Sequence, residues 1–138
     1  MTGILTVTHG NFGKILAETV EFILDKKIEN VLSISSIANE DPEALKKKIK
    51  QGINKVKSEK GVIIFTDMFG GTPSNLSYSF LEEGQVEVIS GLNLPLLLKA
   101  VTIRDKSESM EKMIETLIEH GKKSISLASG ILNGKKRE

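Results

Sequence analysis

Two polar side chains with complementary chemistry, a histidine and a carboxylate, follow two separate apolar runs of this chain. His9 comes after the run Gly3–Val7 and Thr8, and Asp67 directly follows the run Gly61–Thr66. Both runs have the length and composition of buried β-strands. In an open α/β sheet, the residues just beyond the carboxyl ends of the strands carry the chemistry. We therefore expect His9 and Asp67 to lie at the same edge of one sheet.

Pairing His9 with Asp67 would make the imidazole a nucleophile. A carboxylate that accepts a hydrogen bond from Nδ1–H fixes the tautomer and leaves the lone pair of Nε2 exposed. The same carboxylate stabilises the positive charge that develops when Nε2 accepts a phosphoryl group, a reaction that depends on alignment and charge stabilisation. We predict a covalently modified imidazole. A purely structural pair is the alternative, because ion pairs also gather at strand ends.

A glycine-rich turn after Asp67 predicts a seat for the phosphoryl group. Thr72 and Pro73 are of the types preferred at the N-cap and the first position of a helix. Backbone N–H groups at a helix N-terminus favour an anion. The predicted phosphate-binding residues are Gly70, Gly71, Thr72 and Ser74. Because His9 and Asp67 alone are too few ligands for zinc, no metal and no other cofactor is expected.

Four further residues are expected to complete the site. Thr8 and Gly10 flank His9, where Thr8 could add a hydroxyl donor and Gly10 would leave room for a partner protein. Asn93 and Pro95 follow the fourth strand-like run and so belong to the same sheet edge. Asn93 and Pro95 could instead be loop and cap residues only.

Strand and helix patterns alternate along the chain and would position these residues. The strand-like runs are residues 3–7, 31–34, 61–66 and 86–89. This alternation predicts an open, mainly parallel α/β sheet covered by helices on both faces. The expected arrangement has four parallel strands in the order 2-1-3-4.

Apolar spacing and capping residues predict the first two helices. The expected buried stripe of the first is Phe12, Ile15, Leu16, Thr19, Val20 and Ile23. Asp41 and Pro42 are read as the N-cap and first residue of the second helix. Its expected buried positions are Leu45, Ile49, Ile53 and Val56.

The last third of the chain predicts two more helices. One covers residues 96–101, and Arg104 with Asp105 is read as a salt bridge at a helix end. Ser107 is expected to cap the other helix and Gly121 to end it. His120 then lies in a last helical turn, where histidine is common, and is read as structural.

The C-terminal residues differ from the earlier elements. Residues 124–129 alternate between polar and apolar types, which predicts an edge or antiparallel strand. Residues 131–138 are strongly charged and are read as a tail. The expected organisation is one domain over residues 1–130.

Composition excludes several classes of protein. Nineteen basic and 18 acidic residues nearly cancel, so no nucleic-acid footprint is evident. The chain has no cysteine and no apolar stretch that approaches a membrane span, which favours the cytoplasm. It also has no Gly-Lys-Ser/Thr sequence, no complete dinucleotide fingerprint and no acidic residues after the first strand. P-loop, dinucleotide-binding and receiver-type domains are therefore not indicated.

Three motifs resemble those of the mannose-family EIIA domain of the bacterial sugar phosphotransferase system. They occur in the expected order as Thr8–Gly10, Asp67–Pro73 and Gly91–Pro95. The resemblance extends from the first strand to Ala128. It implies a phosphocarrier in which phospho-HPr phosphorylates His9, and His9 passes the group to a histidine of a IIB domain. The orienting aspartate of the family corresponds to Asp67.

The resemblance also implies partners. Family members are homodimers that exchange a C-terminal strand, which corresponds here to residues 124–129. Many relatives carry a linker and a IIB domain after this point, whereas this sequence ends in a short charged tail. We therefore expect IIB on a separate chain. Contact with the membrane is expected only through the IIC and IID permease components. Two alternatives remain: a regulatory module that senses phosphorylation, and the phosphohistidine subunit of a dihydroxyacetone kinase system.

Overall fold

The computed structural model describes residues 1–134, in which strands and helices alternate as the sequence indicates. The strands are β1 (Gly3–His9), β2 (Val31–Ser36), β3 (Val62–Thr66) and β4 (Val86–Ser90). The helices are α1 (Phe12–Leu24), α2 (Pro42–Val56), α3 (Thr72–Ser77), α4 (Leu94–Ile103), α5 (Met110–Lys123) and α6 (Ala128–Leu132), with a single 3₁₀ turn at Tyr78–Phe80. The expected tail of residues 131–138 begins inside α6, and residues 135–138 lie outside the described residues.

The four strands form one parallel sheet in the order β2-β1-β3-β4, which confirms the predicted fold class and strand order. Successive side chains of a strand point to opposite faces. In β3, Ile63 and Phe65 face one apolar cluster with α1, α4 and α5, whereas Val62 and Ile64 face a second cluster with α2. Each face of the sheet is thereby covered by helices. Within residues 1–134, no helix is long and apolar enough to cross a membrane.

Helix α2 matches its sequence signals. The Asp41 side chain accepts a hydrogen bond from the backbone N–H of Glu43, and Pro42 is the first helical residue. The four apolar positions predicted to be buried are all buried: Leu45, Ile49, Ile53 and Val56. The N-cap and the helical period are local signals, which explains why both could be read correctly.

The predicted buried stripe of α1 is partly wrong. Phe12, Ile15 and Ile23 are exposed, whereas Val20 is fully buried. The face against the sheet is set by Gly13, since a Cβ there would lie 2.3 Å from the Thr6 hydroxyl oxygen. Only glycine permits this close approach, and the residues on the same face as Gly13 therefore pack inward: Ala17, Val20 and Leu24.

Several predicted helix ends also differ. Helix α4 begins at Leu94 rather than residue 96, because Asn93 caps it. Ser109, not Ser107, caps α5 by accepting a hydrogen bond from the N–H of Lys112 at 3.1 Å. The Ser107 hydroxyl instead donates to the carbonyl of Ile103, and α5 continues beyond Gly121 to Lys123.

The predicted strand over residues 124–129 does not form in this single chain. Residues 128–132 are helical, and the N–H of Ile131 donates to the carbonyl of Leu127 at 3.2 Å. A strand requires a neighbouring edge that accepts its hydrogen bonds. Among the described residues this segment pairs with no such edge, and its polar backbone groups bond locally instead.

Arg104 is a clamp at the amino ends of the strands rather than the predicted partner of Asp105. Its side chain is buried, and within residues 1–134 it forms no ion pair with Asp105. The guanidinium donates to the carbonyls of Thr2 and Asn30, both at 3.3 Å, and to that of Glu29. It therefore joins the start of β1 to the loop before β2.

Replacing Arg104 with methionine should lower the free energy of unfolding by about 3 kcal/mol, because one buried and two partly buried carbonyls lose a charged donor. Urea unfolding followed by circular dichroism would measure the change. Asp105→Asn, on an exposed side chain, is the matched control and should stay within about 0.5 kcal/mol. Equal effects of the two substitutions would contradict the clamp.

Candidate functional site

The imidazole of His9 and the carboxylate of Asp67 lie in direct contact at one edge of the sheet. Strands β1 and β3 are parallel neighbours with Val7 opposite Thr66, so the residues that follow them emerge side by side. Asp67 Oδ2 lies 2.8 Å from His9 Nδ1 and also accepts the backbone N–H of His9 at 2.9 Å. The carboxylate thus holds both the main chain and the ring of His9.

This contact fixes which ring nitrogen carries the proton. An ionised carboxylate only accepts hydrogen bonds, so the ring must donate to it from Nδ1–H. In the neutral imidazole, Nε2 then keeps its lone pair. The His9 side chain is 53% exposed and that of Asp67 is 15% exposed. The arrangement therefore presents a nucleophilic nitrogen to solvent and keeps its orienting group largely covered.

The pKa of Asp67 reflects its surroundings. Partial burial raises this pKa, but the hydrogen bonds from the backbone and ring of His9 outweigh burial and hold the pKa below its usual range. Asp67 Oδ1 also accepts the backbone N–H of Met68 at 3.0 Å. Asp67 is therefore ionised at neutral pH and available to stabilise a positively charged imidazole.

The glycine turn lies against the imidazole. Gly70 has φ +88°, a conformation that favours glycine, and Gly71 rather than Thr72 is the N-cap of α3. Thr72 is the first helical residue instead. A Cβ on Gly71 would lie 2.9 Å from His9 Cε1 and 3.4 Å from Nε2. The turn can approach the reactive nitrogen because position 71 has no side chain.

The hydroxyls of Thr8 and Ser74, two predicted site residues, point away from the open edge. Thr8 is 1% exposed, and its Oγ1 accepts the N–H of Gly13 at 2.9 Å, which holds the start of α1. Ser74 is completely buried and donates to the carbonyl of Met68. Both hydroxyls are buried and hydrogen-bonded within the protein.

Gly10, Asn93 and Pro95 occupy the loops of this edge. Gly10 has φ +53°, and a Cβ there would meet open space. The Asn93 side chain accepts the N–H of Leu96 at 2.9 Å, and Pro95 lies in the first turn of α4. These roles match the alternative reading of Asn93 and Pro95 as cap residues. His120 lies in the last turn of α5, as expected.

The sequence reading missed a set of buried polar residues behind the site. Thr66 Oγ1 lies 2.6 Å from Ser74 Oγ and 2.8 Å from Ser90 Oγ. Thr66 and Ser90 are the last residues of β3 and β4, and Tyr78 approaches Ser90 with its hydroxyl at 3.4 Å. The sequence does contain a signal for this cluster, because two neighbouring strands both end in a hydroxyl residue, Thr66 and Ser90.

The His9 ring lies on an exposed part of the surface. Five cavities of about 210 to 440 Å³ lie on the described surface, and none of these five is lined by His9 or Asp67. Three exposed apolar side chains are close to the pair in the sequence. Met68 and Phe69 directly follow Asp67, and Phe12, three residues after His9, begins α1. Within residues 1–134, no three His, Cys, Asp or Glu side chains are grouped as metal ligands.

Known proteins are similar to this chain in sequence and fold. The sequence model of the EIIA-man family, described as "PTS system fructose IIA component", matches residues 3–118. A mannose-specific EIIAB component from Escherichia coli K12 is 31% identical over 119 residues, which are 86% of this chain and 36% of that protein. The chain thus spans about a third of that relative's length. A fructose-specific EIIA component from Bacillus subtilis is 30% identical over 106 residues, 76% of this chain and 72% of that protein.

Solved structures agree with the sequence matches. The crystal structure of a phosphotransferase system component EIIA from Streptococcus agalactiae superposes with a TM-score of 0.83 and 28% identity, covering 94% of this chain and 98% of that one. The family match covers most of the chain, and the strand order and the resemblance inferred from the motifs are confirmed. The chain belongs to the mannose-type EIIA family of the phosphotransferase system.

Proposed function

We propose that this chain is a phosphocarrier that accepts a phosphoryl group from phospho-HPr on His9 and passes it to a histidine of a IIB component for sugar uptake. The observation that carries this proposal is the contact between Asp67 Oδ2 and His9 Nδ1. It leaves Nε2 as the exposed nucleophile. The family membership supplies the expected donor and acceptor, because EIIA proteins pass phosphate between HPr and IIB components.

In the forward step, the Nε2 lone pair of His9 forms a bond to phosphorus while the bond between phosphorus and the donor's histidine nitrogen breaks. The ring of His9 becomes positively charged, since Nδ1 keeps its proton. Asp67 stabilises that charge through the hydrogen bond it already accepts. Transfer to IIB reverses the process, and the same carboxylate restores the neutral tautomer. No protein-bound proton need be exchanged with solvent in either step.

The seat for the phosphoryl oxygens is the turn of Gly70, Gly71 and Thr72. Gly71 lies against the His9 ring, close enough for backbone N–H groups of the turn to reach a group on Nε2. Phosphoryl transfer gains mainly from such positioned donors. The Ser74 hydroxyl does not contribute, because it is buried and bonded to Met68.

Gly71→Ala should slow phosphorylation of His9 about tenfold, because its Cβ would press on the ring edge beside Nε2. Gly71 has φ −85°, so alanine adds no backbone strain and the protein should fold normally. The initial rate of phosphate incorporation and a thermal melt would measure both effects. Gly121→Ala, whose Cβ would make only ordinary contacts with Leu96 at 3.5 Å or more, is the control. A wild-type phosphorylation rate for Gly71→Ala would show that the turn does not hold the phosphoryl group.

The surroundings of His9 suit a protein donor rather than a small molecule. The side chains of Met68 and Phe69 are 55% and 78% exposed, and Phe12 is 43% exposed. Exposed apolar groups beside a reactive residue are typical of protein-binding surfaces. We therefore place both HPr and IIB on this surface in turn, in the cytoplasm, with the permease components reached only through IIB.

The direct test is transfer of radioactive phosphate from phosphoenolpyruvate through enzyme I and HPr to this chain. The proposal requires acid-labile label on the wild-type protein, located on His9 by tandem mass spectrometry. Absence of label would refute it. Labelled protein that cannot pass phosphate to any IIB component would instead favour a regulatory module that senses phosphorylation.

A homodimer is the assembly we propose. Several large apolar side chains near the C-terminus are exposed in the single chain, at 81% for Ile125, 74% for Leu127 and 83% for Leu132. A second copy would cover them. Sedimentation should show a dimer, and deletion of residues 125–129 should yield monomers or unfolded protein. An intact dimer of the deleted protein would contradict this role of the segment.

A further inference from the structure

A cluster of buried and half-buried hydroxyl groups lies beside Asp67, at the ends of β3 and β4. Thr66 and Ser74 have no exposed surface, and their hydroxyl oxygens are 2.6 Å apart. Ser90 Oγ joins them at 2.8 Å from Thr66 and 3.3 Å from Ser74. We call Thr66, Ser74 and Ser90 the hydroxyl cluster. It ties the ends of β3 and β4 to the first turn of α3.

Ser74 contacts both chain neighbours of Asp67, through the main chain of Met68 and the side chain of Thr66. Its hydroxyl donates to the carbonyl of Met68, the residue after Asp67, and contacts the hydroxyl of Thr66, the residue before it. Asp67 therefore lies between two neighbours that are both attached to one side chain. That attachment limits rotation of the main chain at Asp67 and so sets the direction of its carboxylate.

The hydrogen bond of Ser74 is not the ordinary one of a helical serine. Serine in a helix commonly donates to the carbonyl four residues earlier, as Ser77 does by donating to Pro73 at 2.6 Å. Ser74 instead reaches back six residues to Met68, outside the helix. This bond adds nothing to the hydrogen-bond ladder of α3 and instead fixes the residue that follows Asp67.

We propose that Ser74 is a positioning residue, whose buried hydroxyl aims the Asp67 carboxylate at His9. Its effect on phosphate transfer rests on the proposed phosphocarrier function. Its effect on the contact between Asp67 and His9 does not. Groups that orient an active-site side chain in this way matter because small misplacements have large costs in rate.

The experiment compares Ser74→Ala with Ser77→Ala, a matched control. Both serines are completely buried in the same helix and both donate to a carbonyl, but only Ser74 contacts the Asp67 segment. Ser74→Ala should slow phosphorylation by phospho-HPr about tenfold, while Ser77→Ala should stay within about twofold of the wild type. The same substitution made in Asp67→Ala protein should have no further effect, because the group it positions is gone.

An NMR measurement without any phosphate donor provides the second arm. Nitrogen shifts of the His9 ring should show one dominant tautomer, with the proton on Nδ1, in the wild type and in Ser77→Ala, and a mixture in Ser74→Ala. The carboxyl carbon of Asp67 should titrate at higher pH in Ser74→Ala, since hydrogen bonds from His9 that lower its pKa are weakened. Neither signal would respond to a general loss of stability in a protein that remains folded.

Two results would overturn the positioning role. One is an unchanged His9 tautomer and Asp67 titration in folded Ser74→Ala, and the other is an equal slowing by Ser74→Ala with and without Asp67. If Ser74→Ala does not fold, Ser74→Cys, which has similar shape but only a weak thiol donor, carries the same measurements and must give the same pattern. A wild-type protein that takes no phosphate would refute the proposed function and leave the NMR arm valid.

Discussion

Replacing His9 with alanine is expected to abolish acid-labile phosphorylation of this protein. No other described side chain combines an exposed ring nitrogen with a carboxylate on the opposite nitrogen, and the second histidine, His120, lies in the last turn of α5. The measurement is incorporation of phosphate from phospho-HPr. Because the His9 side chain is 53% exposed, the substitution should leave the thermal unfolding temperature nearly unchanged.

His120→Ala is the matched control for this experiment, since it removes the only other imidazole of the chain. It should accept phosphate at the wild-type rate. Residual acid-labile label on His9→Ala at more than trace level would show that another residue carries the phosphoryl group. Loss of label on His120→Ala would assign that role to His120.

Asp67→Ala should slow phosphorylation of His9 by about 100-fold, because the ring loses the acceptor that fixes its tautomer and the charge that stabilises its cationic form. Asp67→Asn should be slowed comparably. It preserves the shape of the side chain, but a neutral amide provides no charge for the phosphorylated ring. Rates measured at saturating phospho-HPr separate this chemical defect from weaker binding of the donor. A wild-type rate for Asp67→Asn would show that the charge of Asp67 is not needed for phosphorylation.

The same pair predicts how stability depends on pH. Folding lowers the pKa of Asp67, so the folded protein binds fewer protons at this site than the unfolded chain does. The contribution of Asp67 is therefore complete above its ordinary pKa of 3.8 and is lost as the pH falls through the lower value of the folded state. Urea unfolding at a series of acidic pH values should show a smaller loss for Asp67→Ala than for the wild type.

The sheet and the position of the site could be predicted because their signals are local. Each strand is a short apolar run, and parallel strands bring their carboxyl ends to one edge, which is enough to place His9 beside Asp67. The cap at Asp41 is likewise encoded within three residues. Such features need no knowledge of what packs against them.

Other features depend on partners that are distant in sequence. The inward face of α1 is set by the contact between Gly13 and Thr6, which no helical period reveals. Ser74 lies in a sequence that is typical of a phosphate-binding turn, but its hydroxyl donates to the carbonyl of Met68 because the turn folds back over Ser74. Residues 124–129 have the alternating pattern of a strand. Whether they form one depends on a neighbouring strand that accepts their backbone hydrogen bonds, and the pattern does not reveal that neighbour.

The Arg104 clamp has a consequence for how this protein is made. The guanidinium and the Thr2 carbonyl that it binds are separated by 102 positions. At the usual pace of translation, roughly 5 to 20 seconds pass between the emergence of one and the other. In the last part of that interval a nascent chain carries both His9 and Asp67, yet the opposite ends of β1 and β2 are not yet joined. Final closure of the sheet therefore awaits synthesis of α4, after both members of the reactive pair have been made.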